Sequence, residues 1–168
     1  HKVFDYQDKF FDGVISNFVD SYANGETPVP CIQCNQTVKF SDLLEESKNL
    51  NADALVTGHY AIRKGGLKKS KLFKAKDKTK DQSYFLFATL QDQLDYVRFP
   101  LGNYLKSEIR QLADDYDLLV SDKPDSQDIC FVTSDSYRDL INKIEPDIQK
   151  EGNIFDLDGN KIGLHKGI

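Results

Sequence analysis

Apolar residues recur along this chain at helical spacing in some stretches and in short unbroken runs in others, and the two rhythms predict different elements. Phe10, Phe11, Val14, Ile15, Phe18, Val19 and Tyr22 place an amphipathic helix over 8–23, with Asn24-Gly25 as its stop. Pro28 and Pro30 then flank Val29; prolines two apart forbid a regular helix and predict an extended, stiff loop. Phe40, Leu43, Leu44, Ser47 and Leu50 give a second helical pattern, which Asn51 ends. Ala54-Leu55-Val56 is short and wholly apolar, a buried strand running into Thr57-Gly58-His59-Tyr60.

Beyond it, Lys71-Leu72-Phe73-Lys74 reads as an exposed strand, and helical stretches lie near 81–96 and 106–116. Leu118-Leu119-Val120 and 128–132 read as further strands. Strands alternating with helices predict an α/β protein with a mostly parallel sheet. The texture changes near 133. Ser134 is a candidate cap for a helix through Tyr137, Leu140, Ile141 and Ile144, closed near Pro146. Ile154, Phe155 and Leu157, then Asp158-Gly159-Asn160, then Ile162 and Leu164 predict a β-hairpin. The expected division is therefore 1–132 and 133–168, and there is no internal repeat.

Composition adds three constraints. With 168 residues, 39% hydrophobic and 29% charged, the chain suits a globular protein with a sizeable core, and no apolar run approaches the ~18 residues of a membrane span. The chain starts at His1 and contains no Met, which leads us to expect a piece of a longer product. Its three cysteines, Cys31, Cys34 and Cys130, rule out a fully paired disulfide framework and point to a reducing, cytoplasmic setting.

The net charge of −5 hides a segregation. Residues 63–80 hold nine of the 22 basic residues and one acid, Asp77, so this stretch carries +8 and the remainder −13. Local clustering governs affinity for a polyanion, because each neutralised phosphate releases counterions locally. The simplest alternative is a solvated lysine-rich hairpin.

Cys31-Ile32-Gln33-Cys34 has the Cys-x-x-Cys spacing of half a zinc site, a dithiol pair or part of an iron–sulfur site. A zinc site normally takes four ligands, and neither a second such pair nor a His pair at metal spacing occurs. Cys130 alone reads as a buried core cysteine. His59 after a strand reads first as a hydrogen-bonded loop residue, and Lys80-Asp81-Gln82-Ser83 as a helix N-terminus with Asp81 on the favourable end of the dipole.

Taken in order, TPVPCIQCNQTVKF, ALVTGHYA, KDQSYFL, FPLGNYLKSEIRQLA, DSQDICFV and GLHKG resemble the MnmA-type tRNA-specific 2-thiouridylases and their mitochondrial relatives, in register over essentially the whole chain. The resemblance implies an incomplete Rossmann-like ATP-pyrophosphatase sheet of the adenine nucleotide alpha hydrolase type in 1–132. The start of a small α+β, tRNA-binding central domain would follow in 133–168. The implied activity is ATP-dependent 2-thiolation of the wobble uridine in tRNAs for Lys, Glu and Gln, with Mg2+ accompanying ATP. The implied partners are tRNA and a sulfur-relay protein or cysteine desulfurase, with no membrane.

Position by position, Cys34 matches the family's nucleophile and Cys130 the cysteine that bears the persulfide, the two forming a transient disulfide. Gly58 matches an ATP-contacting glycine and His59 a tRNA contact. Lys80, Asp81 and Gln82 match a tRNA-interaction triplet, and Val29, Pro30 and Cys31 the target-base pocket. No metal ligand is implied. Many members read Asn-Pro-Asp where this chain has Val29-Pro30-Cys31. The extra thiol permits an alternative in which Cys31, Cys34 and Cys130 hold an iron–sulfur cluster. Another alternative is a non-catalytic nucleic-acid-binding module. The family's SGGVDSS phosphate loop and C-terminal barrel have no counterpart here, so the piece alone is expected to be inactive.

The chemistry explains why such residues are needed. A uridine C2 oxygen leaves poorly until it is adenylated, and a persulfide is more readily ionised than a thiol. Breaking its S–S bond afterwards takes a second thiolate. Flipping the base out of its stack costs a few kcal/mol, which backbone neutralisation by 63–80 would offset.

Overall fold

The structure is a computed structural model and describes residues 1–66, 69–123, 129–132, 136–148 and 150–167. The chain divides into two compact units, His1–Tyr6 with Cys31–Asp125, and Gln7–Pro30 with Ser126–Ile168.

In the second unit, the spacing of Phe10, Val14 and Phe18 yields α1 (Gln7–Phe10), a π-helical turn (Phe11–Ser16) and α2 (Asn17–Ala23) without interruption. Phe18 and Val19 pack with Ile141 as this unit's core, flanked by Tyr22, Phe131 and Tyr137. Phe131 meets Phe10 and Phe18 edge-on, and Tyr22 stacks on Tyr137 at 4.9 Å.

Residues 24–29 are irregular, and the next helical run starts at Pro30 and continues into the first unit from Cys31. It comprises α3 (Pro30–Cys34), a π-helical segment (Asn35–Asp42) and α4 (Leu43–Asn49). The proline-bounded loop expected through the cysteines therefore ends at Val29. Pro30 takes the first helical position, where its missing N–H costs nothing and its fixed φ is already helical. Cys31 and Cys34 consequently lie one turn apart on a helix, not in a loop.

β1 (Leu55–Val56) pairs in parallel with β4 (Val97–Arg98), matching Leu55 to Val97. Among the described residues, the parallel sheet is this one short pair. β2 (Ala61–Lys64) and β3 (Lys71–Lys74) form an antiparallel hairpin, so the basic stretch is built on a hairpin. Val97, Phe99, Phe40, Leu44, Ala61, Leu86 and Leu94 are the core of this unit. The stretch expected to be helical over 81–96 is split into a 3₁₀ turn (Ser83–Leu86) and α5 (Gln91–Tyr96). α6 (Lys106–Asp115) begins where Glu108 Oε2 accepts the Leu105 backbone N–H at 2.6 Å. A second 3₁₀ turn, Pro100–Asn103, buries Gly102 so tightly against the Ala61 carbonyl that no side chain fits there.

Two expected strands are not found among the described residues. Leu118, Leu119 and Val120 lie in turns and are exposed, Leu119 completely. Residues 129–132 are irregular, and residue 128 lies outside the described residues. An unbroken apolar run carries no periodicity of its own, and here no neighbouring strand among the described residues supplies the pairing that would make it a strand. Ser134, the expected cap, also lies outside the described residues. α7 (Tyr137–Ile144) is capped by Ser136, whose Oγ accepts the Arg138 N–H at 3.1 Å. A 3₁₀ turn at Pro146–Ile148 closes it. β5 (Gly152–Phe155) and β6 (Lys161–His165) form the expected hairpin, turning at Gly159 with φ +84°.

Candidate functional site

β1 is short, but its parallel pairing to β4 fixes where the chain goes next: the Thr57 N–H donates to the Arg98 carbonyl at 3.0 Å. The chain then leaves the sheet through Thr57-Gly58-His59, at the carboxyl end of a parallel strand, where α/β folds characteristically bind ligands. An open cavity of about 380 Å³ lies there, lined by Leu55, Val56, Thr57, Gly58 and His59 from this segment, by Lys39 and Leu43 from the helical run, and by Gln82. That volume falls within the range of small-molecule sites, roughly 300–1,000 Å³.

The polar lining groups Lys39, His59 and Gln82 are each held. The His59 ring stands 6.0 Å from both Phe40 and Phe99, and its Nδ1 is 2.9 Å from Thr57 Oγ1. Burial, reinforced by the nearby Lys39 charge, lowers the His59 pKa to about 4, so the ring is neutral at neutral pH. Lys39 Nζ donates to Asn35 Oδ1 at 3.1 Å, and buried Asn35 donates to the Phe85 carbonyl at 3.2 Å. Gln82 clamps the strand exit twice: its Oε1 accepts the Tyr60 N–H at 2.9 Å and its own N–H donates to the Tyr60 carbonyl at 2.8 Å. Gly58 is exposed, and a Cβ placed there would make only ordinary contact, 3.7 Å from a Leu101 methyl.

Of the residues singled out from sequence, Gly58, His59 and Gln82 thus share one cavity. Lys80 and Asp81 do not line it. Asp81 Oδ1 accepts the Ala75 N–H at 2.7 Å and its Oδ2 the Ser83 hydroxyl at 2.8 Å, tying the loop after β3 back onto the hairpin. Cys31 is exposed and Cys34 half-buried, both in the first unit; Pro30 is buried and Val29 exposed. Cys130 belongs to the second unit and is exposed in a turn, against the expectation of a buried core cysteine. Among the described residues, no three His, Cys, Asp or Glu side chains are gathered where they could hold a metal ion, and no helix is long and apolar enough to cross a membrane. Lys39 was missed as a cavity residue. Its signal was its position four residues after Asn35 in the helical run, legible only once that run was known to start at Pro30.

A glycine loop at the end of a parallel strand, beside a cavity with apolar walls and a lysine, defines an α/β domain of the nucleotide-binding type. The chain belongs to the family described as tRNA methyl transferase HUP domain, whose family model matches residues 1–134. It is similar over its whole length to proteins named tRNA-specific 2-thiouridylase MnmA. Identity is 55% over 168 residues to that of Orientia tsutsugamushi (strain Boryong), covering 46% of that relative. It is 54% over 169 residues to that of Jannaschia sp. (strain CCS1), covering 44%, and 52% over 168 residues to that of Rickettsia massiliae (strain Mtu5), covering 46%. The chain spans a little under half the length of these relatives.

Proposed function

We propose that this chain is the central part of a tRNA-uridine 2-sulfurtransferase that uses ATP to thiolate the wobble uridine of tRNAs for Lys, Glu and Gln. The observation that carries the reading is identity of 52–55% across all 168 residues to proteins named for 2-thiouridylation. Residues 1–132 would then belong to the ATP-pyrophosphatase domain and 133–168 open the tRNA-binding domain, in keeping with a family match that ends at 134.

Gly58 supports the nucleotide half of the reading. Exposed at the cavity and lacking a Cβ, Gly58 leaves the backbone open to close approach by a ligand. ATP, taken with Mg2+, would supply the adenylyl group that turns the uridine 2-oxygen into a leaving group, the bond from its α-phosphorus to pyrophosphate breaking as the bond to the oxygen forms. Leu43, Leu55 and Val56 give an apolar face to a base or ribose, while neutral His59 offers a hydrogen bond without charge.

In the sulfur half, Cys130 carries sulfur from a relay protein or desulfurase as a persulfide. The terminal sulfur attacks C2 of the activated base, the C2–O bond breaks, and AMP leaves with the oxygen. Cys34 thiolate then attacks the Cys130 sulfur, the S–S bond to the transferred atom breaks, and a Cys34–Cys130 disulfide remains for a dithiol reductant. Exposure of Cys130 fits a residue that must be loaded by another protein. His59, Lys80, Asp81 and Gln82 with the lysine hairpin would face the tRNA, and Val29, Pro30 and Cys31 the extruded base.

The test uses the complete protein. Cys34→Ser and Cys130→Ser should each lower 2-thiouridine formation, read by mass spectrometry of tRNA nucleosides, by at least about a hundredfold with tRNA binding retained. A non-catalytic RNA-binding module would keep thiolation in both variants. Iron and sulfide bound stoichiometrically after anaerobic purification, and needed for activity, would replace the persulfide route with a cluster.

A further inference from the structure

The cavity beside Gly58 contains one full charge. Lys39 is its only cation among the described lining residues, no carboxylate lines it, and His59 is neutral at neutral pH. Lys39 is half-buried and makes no ion pair among the described residues; its one hydrogen bond runs to a neutral amide oxygen, 3.1 Å away. An ammonium has three N–H donors, so two remain for something else. A cation with no counter-ion among the described residues is open to a ligand that supplies the opposite sign.

The lysine is also aimed. Asn35 is 2% exposed, and its Nδ2 donates to the Phe85 carbonyl, a fixed backbone acceptor. That bond decides which way the amide faces and leaves Oδ1 pointing at Lys39 four residues on. Both residues lie in the π-helical segment Asn35–Asp42, and widened turns of this kind recur at functional sites.

We propose that Lys39 is the anion-holding residue of this cavity, taking a phosphate oxygen of a nucleoside polyphosphate, and that Asn35 is its positioning residue. The proposal rests on the nucleotide reading above and names the group that grips the nucleotide's charged end within this chain. Lysine suits the task because it acts as a compact point charge toward phosphate.

Calorimetric titration of the complete protein with ATP, inorganic pyrophosphate and adenosine tests it. Lys39→Gln should weaken ATP and pyrophosphate binding by at least about tenfold while leaving adenosine within about twofold, and Lys39→Arg should restore most of the loss. On the wild-type protein, pyrophosphate should also shield Lys39 from an amine-reactive label, an arm that decides the matter if Lys39→Gln does not fold. Unchanged pyrophosphate affinity in Lys39→Gln, equal losses for adenosine and ATP, or no shielding would each overturn it. So would a variant that loses tRNA affinity alone, which would assign the lysine to an RNA phosphate. Failure of the sulfur-transfer reading shows separately, as thiolation that survives loss of Cys34 or Cys130.

Discussion

His59 sets a stability window that its neighbours define. Half-buried between Phe40 and Phe99 beside Lys39, it holds a folded pKa of about 4 against 6.5 in the unfolded chain. Between those values the unfolded state binds the extra proton. Stability is therefore fully present above pH 6.5 and is lost as pH falls toward 4. At ~1.36 kcal/mol per unit, the ceiling on this contribution is about 3 kcal/mol. The urea midpoint of the complete protein should drop between pH 7 and pH 4.5, and His59→Gln should flatten that part of the profile. Asp77, Asp95 and Glu108, held below the usual carboxylate range chiefly by backbone N–H donors, act only at lower pH. An identical slope in wild type and His59→Gln would mean that other groups titrate in the window.

At the level of elements, the exit of β1 is held by a side chain from a distant turn. Gln82 gives the buried Tyr60 its N–H acceptor, and nothing else among the described residues stands in for it. Gln82→Ala should cost about 1–3 kcal/mol in denaturant unfolding, the usual penalty for an orphaned buried donor. Gln82→Glu keeps an acceptor at that position and should recover most of it; equal losses in both variants would rule out the clamp. This bond also marks where sequence reading stops. The helix over 8–23 and the last hairpin were legible, because Phe18 and Val19 follow helical spacing and Asp158-Gly159 is a turn signal. Local pattern failed where the deciding partner is remote or positional. Pro30 reads as a breaker in isolation and as a helix starter in context, and Leu118-Leu119-Val120 looks buried yet is exposed. For the site, the Gly58 loop was legible as a strand exit. Its convergence with Lys39 and Gln82 was not, since those residues lie 19 and 24 positions away in sequence.

Across the whole molecule, charge is partitioned: net −5 overall, with +8 concentrated on residues 63–80. Lys71, Lys74 and Lys78 are exposed on and just beyond β3. Replacing all three by Gln should weaken tRNA binding and reduce the slope of log affinity against log salt by about 2–3, at roughly 0.7–0.9 per lost phosphate contact. An unchanged slope would mean the lysines only solvate the hairpin. A separate consequence follows from the widened turns between Cys34 and Leu43. Such a stretch is out of step with the α-turns on either side, so adding or removing one residue there behaves as the thread of a screw does. It swings whatever lies beyond by about 100° for ~1.5 Å of advance. The length of that stretch governs whether the Cys34 end and the Leu43–Asn49 end of the same rod keep their bearings.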